Sequence, residues 1–273
     1  RAALIPQTVI VIGRTTLSRS INTFLRLAPT QIVIDPRMAT VDSDRHADKR
    51  FTQIPELNTK TASPEWSEQW EKYADRAAKS IDALTGFSEA VIAREVAANL
   101  PEGSTLFVSS SRPIRDLEGF GAPRSGVRTH ANRGLAGIDG NISTALGIAS
   151  ASKQTFAVLG DLSFLHDLTG LIHREDIDCC FIVINNDGGG IFSTLPQRGV
   201  DGFESVFGTP HGLDPAAIAG AMGISASTIS SIDELKKVLK SPVKGISVVV
   251  ANVASRDENA DSLKAIYESM NSI

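Results

Sequence analysis

Cysteine is nearly absent from this chain: there are two in 273 residues, and those two, Cys179 and Cys180, are neighbours. Adjacent cysteines seldom bridge, because a disulfide needs Cα atoms about 4.4–6.8 Å apart and converging Cβ vectors. They lie in the apolar run Cys179-Cys180-Phe181-Ile182-Val183-Ile184 and read as small buried hydrophobes. No disulfide framework points to secretion. A basic excess is also lacking. Lys and Arg number 27 against 31 Asp and Glu, a net charge of −4, so no overall charge recommends nucleic acid, although a local basic pocket is compatible with it. No run approaches the roughly 20 apolar residues of a membrane span. The opening Arg1–Pro6 is too short in apolar residues for a signal peptide. It starts on Arg1 rather than methionine, just before a strand, and the chain is expected to be part of a longer protein. The five histidines show no metal spacing such as H-E-x-x-H, and Ser109–Ser111 has no surrounding G-x-S-x-G.

What is present is ordinary globular composition, 42% apolar and 21% charged. Short apolar runs alternate with amphipathic segments, which predicts an α/β fold with a parallel sheet and helices on both faces. Strands are expected at Thr8–Ile12, Gln31–Ile34, Leu106–Ser109, Thr155–Leu159, Cys180–Ile184 and Ile246–Ala251. Helices are expected at about Ser18–Leu27, Ser63–Leu84, Ser88–Leu100, Asn141–Ala151, Pro215–Ala221, Ile232–Leu239 and Asp257–Met270. Ser63 can cap its helix, Pro64 suits the first position, and Glu65 favours the dipole. The charged stretch Asp42–Lys49 reads as a loop, and a domain boundary falls near residue 80.

In parallel sheets ligands bind outside the carboxyl ends of the strands. Two such ends carry distinctive strings, Gly160-Asp161-Leu162-Ser163-Phe164-Leu165-His166-Asp167-Leu168 and Asn185-Asn186-Asp187-Gly188-Gly189-Gly190-Ile191-Phe192-Ser193-Thr194-Leu195-Pro196. Asp161 and Asn186 are 25 positions apart, room for a crossover that returns the second loop beside the first. A carboxylate, an amide oxygen and the Gly188 carbonyl are hard ligands that suit Mg²⁺, which fills its octahedron with phosphate and water. Gly160 lets backbone amides approach a phosphate. The residues therefore point to a Mg²⁺-diphosphate site, while Asn-Asp-Gly-Gly is equally a plain turn signal.

These strings resemble the thiamine diphosphate-dependent decarboxylases and carboligases. Together with Asn132–Gly140 (NRGLAGIDG), in the same order, they are most similar to the branch in menaquinone biosynthesis that makes 2-succinyl-5-enolpyruvyl-6-hydroxy-3-cyclohexene-1-carboxylate. The likeness is strong over residues 85–210 and weak over 8–80. Leu162 stands where most of the wider family has a second glycine, and Thr169 where asparagine is common. The resemblance implies a thiamine diphosphate-binding domain at 81–273, preceded at 1–80 by part of a Rossmann-like middle domain. An N-terminal pyrimidine-binding domain, bearing the activating glutamate, would be absent and this chain inactive alone. It implies Asp161, Asn186 and Gly188 as ligands of Mg²⁺ or Mn²⁺. Gly160, Leu162, Ser163 and Ile191 would contact the cofactor, and Ile138 would be the wedge that bends it.

The implied reaction is decarboxylation of 2-oxoglutarate and addition of the succinyl-semialdehyde carbanion to isochorismate. Both substrates are dianions, which arginine pairs bidentately. Ser111, Arg115 and Arg133 match substrate-binding positions of the family, and Phe192 and Leu195 match residues covering the isochorismate ring. Solvated arginines and core packing are the plainer readings of the same residues. A cytoplasmic homodimer or tetramer is also implied. Arg14 and Arg37 follow the first two strands, so parallel neighbours would bring both to one crevice fit for an anionic effector, with surface salt bridging as the alternative. Another thiamine diphosphate carboligase, such as an acetolactate synthase relative, and a non-catalytic Mg²⁺-diphosphate-binding module are the competing functions.

Overall fold

A computed structural model describes residues 4–15, 18–37, 46–56, 63–132, 135–172 and 176–271. The chain divides into two compact units, Arg1–Lys79 and Ser80–Ile273.

In the first unit, β1 (Thr8–Ile12) and β2 (Thr30–Ile34) pair in parallel, and β3 (Lys49–Phe51) adds to β2. Lys49, expected in a loop, is thus a strand residue. Its short, charged strand lies at a sheet edge, where an apolar pattern is not required. Between β1 and β2 runs α1 (Arg19–Leu25), whose Ile21 amide donates to the Ser18 Oγ cap. Helix α2 (Pro64–Asp82) begins as expected, with the Trp66 amide donating to Ser63 Oγ at 3.3 Å.

The second unit is a six-stranded, wholly parallel sheet among the described residues. Its strands are β4 (Thr105–Val108), β5 (Arg128–Ala131), β6 (Thr155–Gly160), β7 (Cys179–Asn185), β8 (Ser225–Ile229) and β9 (Ile246–Asn252), in spatial order β5-β4-β6-β7-β9-β8. Period-two geometry sends alternate side chains to opposite faces. Phe107, Ala157, Leu159, Phe181, Val183, Val248 and Val250 enter one core, against Ile142 and Ala145 of α5 (Asn141–Ala149) and Ala219 of α7 (Pro215–Ala221). Leu106, Val108, Phe156, Val158, Ile182 and Val249 enter the other. That second core also takes Ile92 and Val96 of α3 (Glu89–Asn99) and Leu235 and Leu239 of α8 (Ile232–Lys240). The two cysteines follow the same alternation. Cys179 faces the first core and Cys180 the second, so the pleat separates neighbouring thiols.

Strands β5 and β8 carry no apolar run because they are the sheet's edges. Two helices that sequence periodicity misses, α4 (Arg112–Phe120) and α6 (Asp161–Leu165), begin at the carboxyl ends of β4 and β6. The last helix is α9 (Arg256–Asn271). No described helix is long and apolar enough to cross a membrane.

Two outcomes test this core. Phe181 is fully buried, and Phe181→Ala should cost about 3–5 kcal/mol of unfolding free energy in denaturant titration. Burial pushes the Cys179 thiol far up and the Cys180 thiol up to about 11. Both are therefore protonated at neutral pH, and a thiol reagent at pH 8 should label neither until the protein is unfolded.

Candidate active site

The chain winds from β4 to β5 on one side, then crosses back so that β6 lies on the other side of β4. Such a reversal opens a crevice at the carboxyl ends of β4 and β6. Here those ends are followed by Ser109–Ser111 and Asp161, with Asn186 after the adjacent β7.

Asp161 is buried and heavily bonded. Its Oδ1 accepts from the Leu162 amide at 2.6 Å. Its Oδ2 accepts from the Asn186 amide at 3.2 Å and the Gly188 amide at 2.9 Å. The same oxygen accepts from His211 Nε2 at 3.2 Å. The Leu213 amide donates to His211 Nδ1 at 3.0 Å, so the ring proton belongs on Nε2. Burial pushes the Asp161 carboxyl up, and the donors from Gly188, Leu162 and His211 oppose that rise.

The glycine triplet makes the turn possible. A Cβ on Gly188 would overlap the Gly208 carbonyl, one on Gly189 the Phe207 carbonyl, and one on Gly190 the Asn186 amide nitrogen. Gly188 also has φ +131°, a conformation few other residues adopt. Asp187 secures the loop that covers this turn, since its Oδ1 accepts from the His211 amide at 3.0 Å and the Gly212 amide at 2.8 Å.

Several buried side-chain polar atoms lack a hydrogen-bond partner, Asn141 Oδ1 and Asp116 Oδ2 among them, and one lies in this turn. Asn186 Oδ1 is buried and has no hydrogen-bond partner. A buried amide oxygen without a donor is costly unless something else satisfies it. The Asp161 carboxylate and the Gly188 carbonyl, which also accepts from the Gly190 amide at 2.9 Å, are further hard oxygen donors on the same two loops, and donors of that kind suit Mg²⁺. Among the described residues no three His, Cys, Asp or Glu side chains cluster as a metal site. A Mg²⁺ ion completed by phosphate and water needs no such cluster.

Residues 119–253 match the family described as thiamine pyrophosphate enzyme, C-terminal TPP binding domain. That part of the chain belongs to the thiamine diphosphate-binding domain family. The chain is similar to the 2-succinyl-5-enolpyruvyl-6-hydroxy-3-cyclohexene-1-carboxylate synthase of Thermobifida fusca, at 40% identity over 87% of this chain and 45% of the relative. It is similar to the synthases of the same name from Bacillus cytotoxicus, at 33% identity over 96% and 48%, and from Lysinibacillus sphaericus, at 35% over 99% and 50%. The chain spans about half the length of the curated relatives it matches. A parallel α/β sheet with helices on both faces is the fold expected of this thiamine diphosphate enzyme domain.

The remaining expected residues fall into place unevenly. Ser163 is buried, and its Oγ donates to the Ile138 carbonyl at 2.8 Å, tying α6 to the loop that carries half-buried Ile138. Asn141, which the sequence reading overlooked, clamps the same loop. Its Nδ2 donates to Ser163 Oγ at 2.9 Å and to the Asp139 carbonyl at 3.2 Å. Ser111 holds the α4 N-terminus at φ 76°, a strained value for a serine. Arg115 Nη1 donates back to the Ser111 carbonyl at 2.7 Å. Phe192 packs on Phe207 with ring centroids 5.3 Å apart, and half-buried Leu195 donates its amide to the Phe192 carbonyl. Half-buried Leu162 and Ile191 flank the two turns. Arg133 lies outside the described residues.

His211, read only as a histidine without metal spacing, and Glu89, read only as the start of a helix, also reach the site. Each lies far along the chain from the groups it touches, Asp161 and Asn186, and no local pattern marks them.

In the first unit the parallel register places Gly13 and Asp35 just beyond Ile12 and Ile34. Buried Asp35 accepts from the Arg37 amide at 2.9 Å and Arg37 Nε at 2.8 Å, and pairs with its terminal nitrogen. That fork holds the Asp35 carboxyl near 2, below its ordinary 3.8, with a smaller contribution from Arg14.

Two predictions follow from these bonds. Gly188→Ala should lower the melting temperature, since its Cβ would overlap the Gly208 carbonyl at a backbone angle few residues adopt. A depressed carboxyl stabilises the fold above its unfolded pKa and ceases to as pH falls through its folded value. Asp35 should therefore contribute fully above about pH 4 and lose its contribution towards pH 2, and in pH-dependent unfolding Asp35→Asn should remove that step.

Proposed function

We propose that this chain supplies the diphosphate- and cation-binding part of a 2-succinyl-5-enolpyruvyl-6-hydroxy-3-cyclohexene-1-carboxylate synthase. The observation that carries the reading is the unpartnered Asn186 oxygen in the turn after β7, whose Asn186 and Gly188 amides bind Asp161 beside the strand-order reversal, in a chain 33–40% identical to such synthases. Asp161, Asn186 and the Gly188 carbonyl would hold Mg²⁺ or Mn²⁺, and Gly160, Leu162, Ser163 and Ile191 would line the cofactor. When bound, thiamine diphosphate supplies the electron sink for decarboxylation of a 2-oxo acid.

The chain's own residues then orient and select. Ser163 and Asn141 hold the Ile138 loop in place, which lets an apolar side chain press on the cofactor from a fixed backbone. Arg115 and Arg133 would pair the carboxylates of 2-oxoglutarate and isochorismate, and Ser111 would add a hydroxyl. Phe192 is braced by Phe207 and with Leu195 offers an apolar cover for a ring. Excluding water there strengthens the arginine–carboxylate pairs. A cytoplasmic homodimer or tetramer belongs to the same reading. Arg14 and Arg37 would form a separate anionic effector site, with Arg37 already braced on Asp35.

The decisive assay uses the full-length gene product with Mg²⁺ and thiamine diphosphate. Carbon dioxide release from 2-oxoglutarate should accompany loss of isochorismate absorbance. Decarboxylation without isochorismate loss would redirect the reading to another acceptor. Arg115→Ala should raise a substrate KM or lower kcat about tenfold or more, the loss of one charge-assisted pair.

A further inference from the structure

Asn186 serves a cation only if its side chain lies the right way round. A carboxamide carries one oxygen and one NH₂, and only the oxygen can ligate a hard ion. Nothing in the asparagine itself chooses between the two orientations.

Buried Glu89 makes the choice. Its Oε1 accepts from Asn186 Nδ2 at 2.5 Å, across 97 positions of sequence. Its Oε2 faces Arg112 Nε at 3.4 Å, and Arg112 pairs in turn with buried Asp116. The Glu89 amide donates to Asn259 Oδ1 at 3.3 Å, which anchors the start of α3. Gly190 leaves room for the pair, because a Cβ there would overlap Asn186 Nδ2 and stand 3.5 Å from Glu89 Oε1. Once Nδ2 is committed to this carboxylate, Oδ1 must face away from it, and Oδ1 is itself buried and lacks a partner. Reversing the amide would set two oxygens against each other in a buried place.

We infer that Glu89 is a positioning residue for the cation site, holding the Asn186 amide so that its oxygen faces the metal. The inference rests on the Mg²⁺-diphosphate reading above. Groups that orient a ligand from behind commonly change metal affinity about 10–100-fold when removed.

Mn²⁺ titration of the full-length protein with thiamine diphosphate, read by electron paramagnetic resonance, tests it without turnover. Glu89→Gln should weaken Mn²⁺ about tenfold or more, since one amide oxygen cannot serve both Asn186 and Arg112. Pairing it with Asn186→Asp should restore affinity to within about threefold of the parent. The introduced glutamine then donates to the introduced carboxylate, a second carboxylate oxygen remains for the metal, and the total charge is unchanged. Asn186→Asp alone sets two carboxylates face to face and should also bind weakly. Gly190→Ala, which presses on the same amide, serves if Glu89→Gln does not fold, and the same loss is expected.

Metal-free melting curves separate positioning from mere stability. A lower Tm with unchanged Mn²⁺ affinity overturns the inference, as does a double variant no tighter than Glu89→Gln. A parent that binds no Mn²⁺ overturns the proposed function itself, and this inference with it.

Discussion

The Asp161 carboxylate, buried at the end of β6, must find hydrogen-bond donors or give up its charge. It finds them on the next strand's loop, in the amides of Asn186 and Gly188. That single group joins the ends of β6 and β7, and the remainder of the site is arranged around it. The β6–β7 register sets the two loops level, with Gly160 opposite Ile184. The turn after β7 can then fold back only because three successive residues lack side chains.

A layered support stands behind this junction. One branch runs from Asp161 to His211 and, through Asp187, fixes the loop over the turn. Another runs from Asn186 to Glu89, Arg112 and Asp116, which ties the β7 loop to the starts of α3 and α4. A third runs from Ser163 and Asn141 to the Ile138 loop. The first two begin just after β6 and β7 and the third within α6, and each closes on a helix or loop distant in sequence. A site built this way is held by the rigid sheet rather than by its own loops, which suits a cofactor that must be gripped by its diphosphate.

The two cores explain why the support is rigid. Strict alternation along β4, β6, β7 and β9 fills both faces of the sheet with large buried side chains, Phe107 and Phe181 on one and Phe156 on the other. A sheet covered on both faces cannot shift register without exposing one whole set. The strand ends, and so Asp161 and Asn186, inherit that fixed register.

The central strands were legible in the sequence because burial on both faces demands continuous apolar runs. Edge strands β3, β5 and β8 were not, since an edge tolerates the polar residues of Lys49–Phe51, Arg128–Ala131 and Ser225–Ile229. Helix α4 was hidden for a related reason: its buried positions include Pro113 and Asp116, which no apolar period reveals. The strings around Asp161 and Asn186 were legible because each directly follows an apolar strand run, although the residues alone read equally well as turns and only the resemblance favoured a site. By itself the sequence determined the parallel α/β architecture and the two strand-end loops with their oxygen-bearing side chains. Only the tertiary structure decided which way the Asn186 amide faces, that His211 reaches Asp161, and that Ser163 holds Ile138. Those contacts join residues from 25 to 97 positions apart. Their partners are chosen by packing in three dimensions, and no local periodicity records them.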